Sequence, residues 1–277
     1  MKNIYGTIGF TTLKNTQNNN KIIIFSDMHD RLPSCDSNQT TISNWFKSKF
    51  NSSKILLEEV PRDGFNLEEL WDQSPHTQDL KNLYLSKTEY IQAVDIRPYL
   101  IPFSWELFDK ADKTMILRNY LREVDNFFCL KSEHFVKNLE LYNKSNLKHT
   151  NLGKHFLQIK KNYGNFLLNN KDLIEQTIEQ IHGNQIELLY QINNILDEIM
   201  EWYICANIMT NQHKSIILHT GLAHSEKVIR WLLINYNYII TKRNGINSLM
   251  DTKIKMTGCV QLPTDVDSQF GGFLTNY

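Results

Sequence analysis

The stretch KIIIFSDMH, residues 21–29, carries the clearest structural signal in the chain. Its four consecutive apolar residues, Ile22 to Phe25, lie between polar neighbours, which is typical of a short strand buried on both faces of a sheet. The run then ends directly in ionisable residues, Asp27 and His29. We therefore expect a buried strand with polar side chains at its carboxyl end.

Comparable apolar runs recur along the chain, at KILL (54–57), YIQAV (90–94) and SIILH (215–219). Segments with helical periodicity separate these runs, and two more strand-like stretches follow, at 236–241 and 253–262. Such alternation is typical of parallel strands joined by helices. The sequence therefore predicts an α/β fold with a mostly parallel central sheet and flanking helices.

The interval from Trp105 to Gln212 differs, because it contains no proline and its apolar residues repeat with a helical period. We expect it to be a large all-helical insertion, with breaks near Gly164 and Gly183. The predicted domains are an α/β core at 1–104 and 213–262, the helical insertion at 105–212 and a C-terminal tail at 263–277. The tail is expected to be a loosely tethered arm.

Composition excludes several classes of protein. The 30 basic and 30 acidic residues balance, which argues against nucleic-acid partners, and no apolar stretch is long enough for insertion into a membrane. The four cysteines form no C-x-x-C pair, which favours a reducing compartment and a cytoplasmic location. Abundant Asn, Lys and Ile indicate an AT-rich genome, and for a viral gene the location becomes the host cytoplasm or the virion.

The ionisable residues that follow the apolar runs suggest a site. Parallel strands place their carboxyl ends at one edge of a sheet, where open α/β folds bind ligands. This arrangement predicts that His29, Glu58, Asp95 and His224 converge there and act as catalytic residues. Of the adjacent pair, Glu58 is preferred over Glu59 because it continues the apolar run directly and is expected to be partly desolvated.

A structural role is the alternative for each of these residues. Asp27 would cap a turn, the two glutamates would be solvated, and Asp95 would form a local ion pair with Arg97. The histidines outside the proposed site, His76 among them, are expected to lie on solvated faces. His224 is the strongest single candidate, because Gly221 would permit a tight turn and a helix N-terminus keeps a nearby imidazole neutral.

Two short motifs resemble those of a known superfamily. The sequence SDMH (26–29) is similar to a degenerate G-x-x-H motif, and GLAH (221–224) is an intact one. Together with the acid-terminated second run, they resemble the superfamily that contains the TraB proteins, Tiki metalloproteases, ChaN haem-binding lipoproteins and erythromycin esterases. The chain departs from the pattern at Ser26, where the family has Gly. The helix before the second motif also lacks the usual Arg or Asp, and Glu201 is its nearest acid.

The resemblance and the candidate residues together predict a hydrolase that acts on a small-molecule or peptide substrate. In one form, His29, Glu58 and His224 hold a divalent transition metal, which lowers the pKa of a bound water. In the other form, a histidine oriented by a carboxylate acts directly as general base. In either form Arg62 or Arg97 would bind an anionic substrate or intermediate.

Two other functions remain open. The sequence around Asp27 and His29 also looks like the opening D-x-H motif of calcineurin-like metallophosphoesterases, but the chain has no Gly-Asp, Gly-Asn-His or His-x-His to complete that two-metal site. The other alternative is a non-enzymatic binding or interaction protein that keeps the fold without the chemistry.

Overall fold

The computed structural model of the protein describes residues 1–28, 31–33, 39–61, 74–101, 112–181, 185–251 and 255–271. Contacts between residues divide the chain into two units. The first contains Met1–Phe65, Trp71–Val94 and Asn211–Tyr277, and the second contains Asn66–Leu70 and Asp95–Thr210.

Strands and helices are numbered along the chain. The strands are β1 (Lys2–Tyr5), β2 (Gly9–Asn15), β3 (Lys21–Asp27), β4 (Gln39–Thr41), β5 (Lys54–Leu57), β6 (Ile91–Ala93), β7 (Ser215–Gly221), β8 (Tyr238–Gly245) and β9 (Cys259–Leu262). The helices are α1 (Ile42–Lys47), α2 (Pro75–Ser86), α3 (Arg97–Leu100), α4 (Leu117–Tyr120), α5 (Arg122–Phe128), α6 (Val136–Lys144), α7 (Asn151–Asn169), α8 (Lys171–Ile174), α9 (Gln185–Thr210), α10 (Leu222–Asn235) and α11 (Thr264–Gln269).

A six-stranded sheet with the order β6-β5-β7-β3-β2-β8 forms the centre of the first unit. The pairs β6–β5, β5–β7 and β7–β3 are parallel, whereas β3–β2 and β2–β8 are antiparallel. The apolar runs that start at Ile22 and Ile216 form the adjacent strands β3 and β7, and their apolar residues have no exposed surface. The predicted α/β class with a mostly parallel central sheet is confirmed.

Strands β1 and β2 and the second sheet of this unit are not predicted by the apolar pattern of the sequence. That sheet has the order β4-β1-β9, with β1 parallel to β4 and antiparallel to β9. Strand β2 has few apolar residues, yet it is buried because its threonines have partners: Thr11 Oγ1 donates to Asn247 Oδ1 at 3.0 Å, and the hydroxyls of Thr12 and Thr241 are 2.8 Å apart. Burial of hydrogen-bonded polar residues leaves no apolar run for sequence reasoning to detect.

The C-terminal segment is docked onto the first unit as far as it is described, so the expectation of a loosely tethered arm is wrong for residues 263–271. The side chains of Val266 and Phe270 are buried. Asp267 accepts hydrogen bonds from Trp45 Nε1 at 2.9 Å and Lys49 Nζ at 2.6 Å, and it also pairs with Lys2. These contacts tie α11 to α1 and β1.

The described residues of the second unit are mainly helical, in agreement with a fold class that contains a large helical insertion; the bounds 105–212 stay a prediction. Helices α3 to α9 pack around aromatic side chains, and within the described residues from 112 to 210 the only β-pairing is an isolated bridge between Ile116 and Thr177. The buried Trp202 ring lies 4.8 Å from the Phe156 ring and 5.7 Å from the Phe127 ring, measured between centroids. Gly164 lies inside α7 rather than at a break, and Gly183 is outside the described residues.

The cysteines differ in oxidation state. Cys259 is disulfide-bonded, whereas Cys129 and Cys205 are free. Burial raises the pKa of the Cys205 thiol, and the nearby Glu201 raises it further. The sequence-based argument for a reducing compartment did not anticipate a disulfide, because wide spacing along the chain says nothing about proximity in the fold.

Each helix in the described part of the chain is too short or too polar to cross a membrane.

Candidate active site

Polar residues of the first unit meet where three parallel strands end. On the central strands, Asp27 at the end of β3 is the register partner of Gly221 at the end of β7. On the other side of β7, Leu57 pairs with His219, and the backbone N–H of Glu58 continues this pairing by donating to the His219 carbonyl at 2.9 Å. Asp27 and Glu58 therefore flank the end of β7, at the predicted edge of the sheet.

The Glu58 carboxylate is held in place by two donors from the end of β7. Its Oε2 atom accepts a hydrogen bond from Thr220 Oγ1 at 2.5 Å and one from the Gly221 backbone N–H at 2.6 Å. The Glu58 side chain is only 5% exposed. Gly221 is also the N-cap of α10, so the carboxylate lies at the positive end of that helix, which favours its charged form.

His224 lies in the first turn of α10 and faces the same carboxylate. Its Nε2 atom is 3.7 Å from Glu58 Oε1, and its side chain is 12% exposed. This distance is longer than a hydrogen bond, but the Glu58 oxygen that faces His224 is the one that does not accept from Thr220 or Gly221. Gly221 has φ −54°, a value that any residue can adopt. The backbone at this position therefore does not require glycine, whereas the tight turn expected from Gly221 would.

A second histidine–carboxylate pair lies nearby. Both oxygens of Asp27 lie close to His76 Nε2, at 2.9 and 3.0 Å, and the His76 Nδ1 atom is 3.0 Å from Ser74 Oγ. The Asp27 and His76 side chains are 0% and 2% exposed. The expectation that His76 is solvated is therefore wrong. Its spacing from the buried Leu80 and Leu83, four and seven residues on, was the sequence signal for a buried helical face.

The two pairs lie on opposite faces of the sheet. Phe25 and Leu57 belong to the apolar cluster that α1 and α2 cover. Successive strand residues point to opposite faces, so Asp27 shares the face of Phe25, whereas Glu58 faces the other way. Their contacts agree with this placement, since Asp27 bonds His76 of α2 and Glu58 faces His224 of α10.

Ser26, the residue that replaces the family's glycine, connects β3 to α10. Its hydroxyl is 2.9 Å from Ser225 Oγ, which itself donates to the Leu222 carbonyl at 2.8 Å. Because the Ser225 proton is used in that bond, Ser26 acts as the donor to Ser225. This link fixes the first turn of α10, in which His224 lies.

His219, also missed as a candidate, packs on the α1 and α2 face. Its Nε2 atom is 3.2 Å from the Gly6 carbonyl. Gly6 has φ +98°, and a Cβ atom there would lie 3.1 Å from His76 Cβ and 2.8 Å from Ile42 Cγ2. Only glycine adopts this positive φ easily and leaves room for the neighbouring side chains. The loop between β1 and β2 therefore packs directly against His76.

Asp95 and Arg97 belong to the second unit, where they form an ion pair. Arg97 donates from Nε to Asp95 Oδ1 at 2.8 Å and from Nη2 to Asp95 Oδ2 at 3.0 Å, and its Nη1 donates to Asp197 Oδ1 at 2.7 Å. The Asp95 side chain is 1% exposed. Bidentate geometry and burial make this pair stronger than the weak local pair considered from the sequence. The roles predicted for Asp95 in catalysis and for Arg97 in anion binding stay predictions.

The remaining candidates divide as follows. His29 and Arg62 lie outside the described residues. Glu59 is buried rather than solvent-facing, and its Oε1 accepts the backbone N–H of Val60 at 3.1 Å. Of the four predicted catalytic residues, the structure brings Glu58 and His224 together.

A metal site is not evident in the part of the chain that the structure describes. There, no group of three or more His, Cys, Asp or Glu side chains is arranged to hold a metal ion. The predicted ligand set includes His29, which is not among the described residues, so the prediction of a metal is untested.

Comparison with known proteins adds no assignment, because no family model, no curated protein and no solved structure matches the chain.

Proposed function

We propose that this protein is a hydrolase in which His224, oriented by Glu58, activates a water molecule. The observation that carries the proposal is the pairing of a partly exposed imidazole with a nearly buried carboxylate, 3.7 Å apart, at the carboxyl edge of a parallel sheet. This edge is where open α/β folds bind their ligands.

The geometry supports a division of labour between the two side chains. His224 is the more exposed and would accept a proton from water as that water attacks the substrate. Glu58 would orient the imidazole and stabilise the imidazolium that forms, as a carboxylate does in other base–orienter pairs. Because Thr220 and Gly221 hold Glu58 Oε2, the carboxylate does not need to reorganise. The gap of 3.7 Å would shorten when substrate binds, as such contacts often do.

A divalent transition metal is the second form of the same proposal. Tetrahedral ligands about 2.1 Å from a zinc ion are separated from each other by about 3.4 Å, and Glu58 Oε1 and His224 Nε2 are 3.7 Å apart. These two atoms therefore suit two positions of a metal site, with His29 proposed as the third ligand. A bound metal would supply an acidic water at neutral pH.

This mechanism matches the activity that the resemblance to the TraB, Tiki and erythromycin esterase superfamily implies, and we propose membership in that superfamily. The substrate would be a small molecule or a peptide. The location proposed from composition is the cytoplasm, which for a viral gene is that of the host. The Cys259 disulfide favours an oxidising compartment instead. Mass spectrometry of protein isolated under non-reducing conditions distinguishes the two locations, because the disulfide should be present only in protein from an oxidising compartment.

The metallophosphoesterase alternative receives less support. It requires Asp27 to bind a metal, but both Asp27 carboxylate oxygens already bond His76 and the side chain is 0% exposed. A ligand carboxylate would have to give up this buried partner.

A non-enzymatic binding protein is the second candidate function. The observation that favours it is the use of the Glu58 carboxylate as a cap for α10, through Thr220 and Gly221. A carboxylate with this purely structural task would be retained even after loss of catalysis.

Hydrolysis assays distinguish these two candidates. Short-chain p-nitrophenyl esters, p-nitrophenyl phosphate and a peptide p-nitroanilide would be tested with the wild type and with His224→Gln, before and after chelation, alongside metal analysis. We expect hydrolysis of at least one substrate, with a rate that falls by about 10²–10⁴ in His224→Gln. His213→Gln, at an exposed histidine, is the control and should keep full activity. Activity that persists in His224→Gln would refute the mechanism, and no hydrolysis by the wild type would favour the binding protein.

A further inference from the structure

The disulfide of Cys259 has one candidate partner within the chain. The sequence contains four cysteines, Cys35, Cys129, Cys205 and Cys259. Cys129 and Cys205 are free, whereas Cys259 is disulfide-bonded. The cysteine that remains is Cys35, which lies outside the described residues. Exclusion therefore pairs Cys259 with Cys35.

Described residues that precede the two cysteines are in direct contact. A Cβ atom added to Gly258 would lie 2.4 Å from the Pro33 carbonyl oxygen and 2.7 Å from Leu32 Cβ, so the two stretches of backbone touch. Gly258 directly precedes Cys259, and Pro33 is two residues before Cys35. Two residues of chain span at most about 7 Å, and a disulfide joins Cα atoms about 4.4–6.8 Å apart. This contact does not depend on the count of cysteines, and it brings the two ends of the inferred bond within reach of each other.

The segment next to Gly258 also packs on the first turn of α10. Leu32 is 4% exposed and belongs to an apolar cluster with Leu222, the first residue of α10, and Met28 packs against the same cluster. His224 follows Leu222 by two residues. A covalent bond at Cys259 therefore restrains, through Leu32, the helical turn that carries His224.

We propose that Cys259 forms a disulfide with Cys35, and that this bond is a redox-sensitive clasp that holds residues 31–33 against Gly258 and Leu222. We name it the Cys35–Cys259 clasp. Its formation removes two electrons and two protons from the two thiols, and a disulfide oxidant such as oxidised glutathione takes them up and becomes two thiols. The pairing and the restraint stand by themselves, whereas an effect of the clasp on activity rests on the function proposed for His224.

The position of the clasp in the fold makes it strongly stabilising. Cys259 begins β9 of the second sheet, whereas Leu32 and Pro33 follow β3 of the central sheet, so the bond links the two sheets of the first unit. It also closes a loop of more than 200 residues, and a longer loop removes more conformational entropy from the unfolded chain. Reduction should therefore lower the urea concentration at the midpoint of unfolding by about 1 M.

The first measurement is peptide mapping of the full-length protein after treatment with oxidised glutathione, with free thiols alkylated in denaturant before digestion. We expect one disulfide-linked pair of peptides, which contain Cys35 and Cys259, and alkylated Cys129 and Cys205. A bond from Cys259 to either of the other two cysteines, an alkylated Cys259 or a disulfide-linked dimer would overturn the pairing.

The second measurement is hydrogen–deuterium exchange of the oxidised wild type, of the wild type reduced with a phosphine and of Cys259→Ser. Peptides that cover residues 28–33 and 221–225 should exchange about threefold faster or more in the reduced protein and in Cys259→Ser. Cys129→Ser, at an exposed free cysteine, is the matched control and should exchange like the oxidised wild type. Equal exchange before and after reduction would overturn the clasp, and the reduced wild type decides the question if Cys259→Ser does not fold.

The third measurement is the rate of hydrolysis before and after reduction, on the substrate that the wild type hydrolyses fastest. Reduction should lower kcat by about tenfold, because His224 loses its fixed position, and an unchanged rate would overturn the coupling of the clasp to His224. The two proposals fail separately. A mapped clasp with faster exchange on reduction but no hydrolysis would refute the proposed hydrolase and leave the clasp, whereas hydrolysis without the linked peptides would refute the clasp alone.

Discussion

Replacement of Glu58 tests the most specific structural feature of the candidate site, the anchoring of its carboxylate on Thr220 and Gly221. Hydrogen bonds to charged groups contribute about 1.5–3 kcal/mol each, and a carboxylate at a helix N-terminus contributes about 0.3–1 kcal/mol more. Against these gains stands the cost of enclosing a charge that is only 5% exposed. In Glu58→Ala that cost disappears, but the two donors lose their acceptor, which costs about 1–3 kcal/mol per buried group. We expect a net loss of about 3 kcal/mol.

Glu58→Gln should be milder, because its amide oxygen can still accept from both donors. We expect a loss of about 1 kcal/mol, since the bonds become neutral and the helix N-terminus loses its negative partner. Urea unfolding at neutral pH, followed by circular dichroism, gives both free energies of unfolding.

Glu89→Ala is the control, because the Glu89 side chain is 58% exposed and a glutamate at such a surface position contributes little to stability. Its loss should not exceed about 1 kcal/mol. Glu58→Gln as costly as Glu58→Ala, or Glu89→Ala more costly than either, would refute the reasoning about the anchored carboxylate.

Three further predictions concern stability, each measured by urea unfolding. Burial lowers the pKa of His155 to about 4 from its ordinary 6.5. The neutral imidazole therefore contributes its full stabilisation above pH 6.5, and the free energy of unfolding falls by about 3 kcal/mol as the pH drops toward 4. This part of the pH dependence should be absent in His155→Phe. Burial raises the pKa of Asp267, but hydrogen bonds from two lysines and Trp45 outweigh it and lower the pKa to about 2. About 2 kcal/mol should therefore be lost between pH 4 and pH 2, but not in Asp267→Asn. Gly6→Ala should lower the free energy of unfolding by about 3 kcal/mol, because Gly6 has a positive φ and an added Cβ atom would clash with Ile42. Gly164→Ala is the contrasting variant. An added Cβ atom there meets open space inside α7, so this variant should be more stable than the wild type by about 0.5–1 kcal/mol.

The central sheet and the helical unit were predictable because their residues carry periodic apolar patterns. The runs at Ile22 and Ile216 are enclosed on both faces, so they contain no polar positions to obscure them. The same argument placed Glu58 at the edge of the sheet near His224. Strand ends in a parallel sheet are set by topology, and topology follows from the alternation of strands and helices.

The features that the sequence did not predict share one cause. In each of them, polar groups are buried because they form hydrogen bonds with specific partner residues. Strand β2 is buried because its threonines are hydrogen-bonded, and His76 is buried because its Nε2 atom has the Asp27 carboxylate as a hydrogen-bond partner. The docked C-terminal helix depends on Asp267 and its partners. Such pairings join residues far apart in the chain, and no local pattern reveals them.

The central claim, that His224 and Glu58 act as one unit on water, is tested most directly by a double-mutant cycle on the substrate that the wild type hydrolyses fastest. The four proteins are the wild type, His224→Gln, Glu58→Gln and the double variant, with their folded state verified by circular dichroism. Residues that act as a unit show strongly non-additive effects, so the double variant should be no slower than His224→Gln alone. If the two losses multiply, or if Glu58→Gln leaves the rate unchanged, then Glu58 does not act through His224, and the proposed mechanism is contradicted.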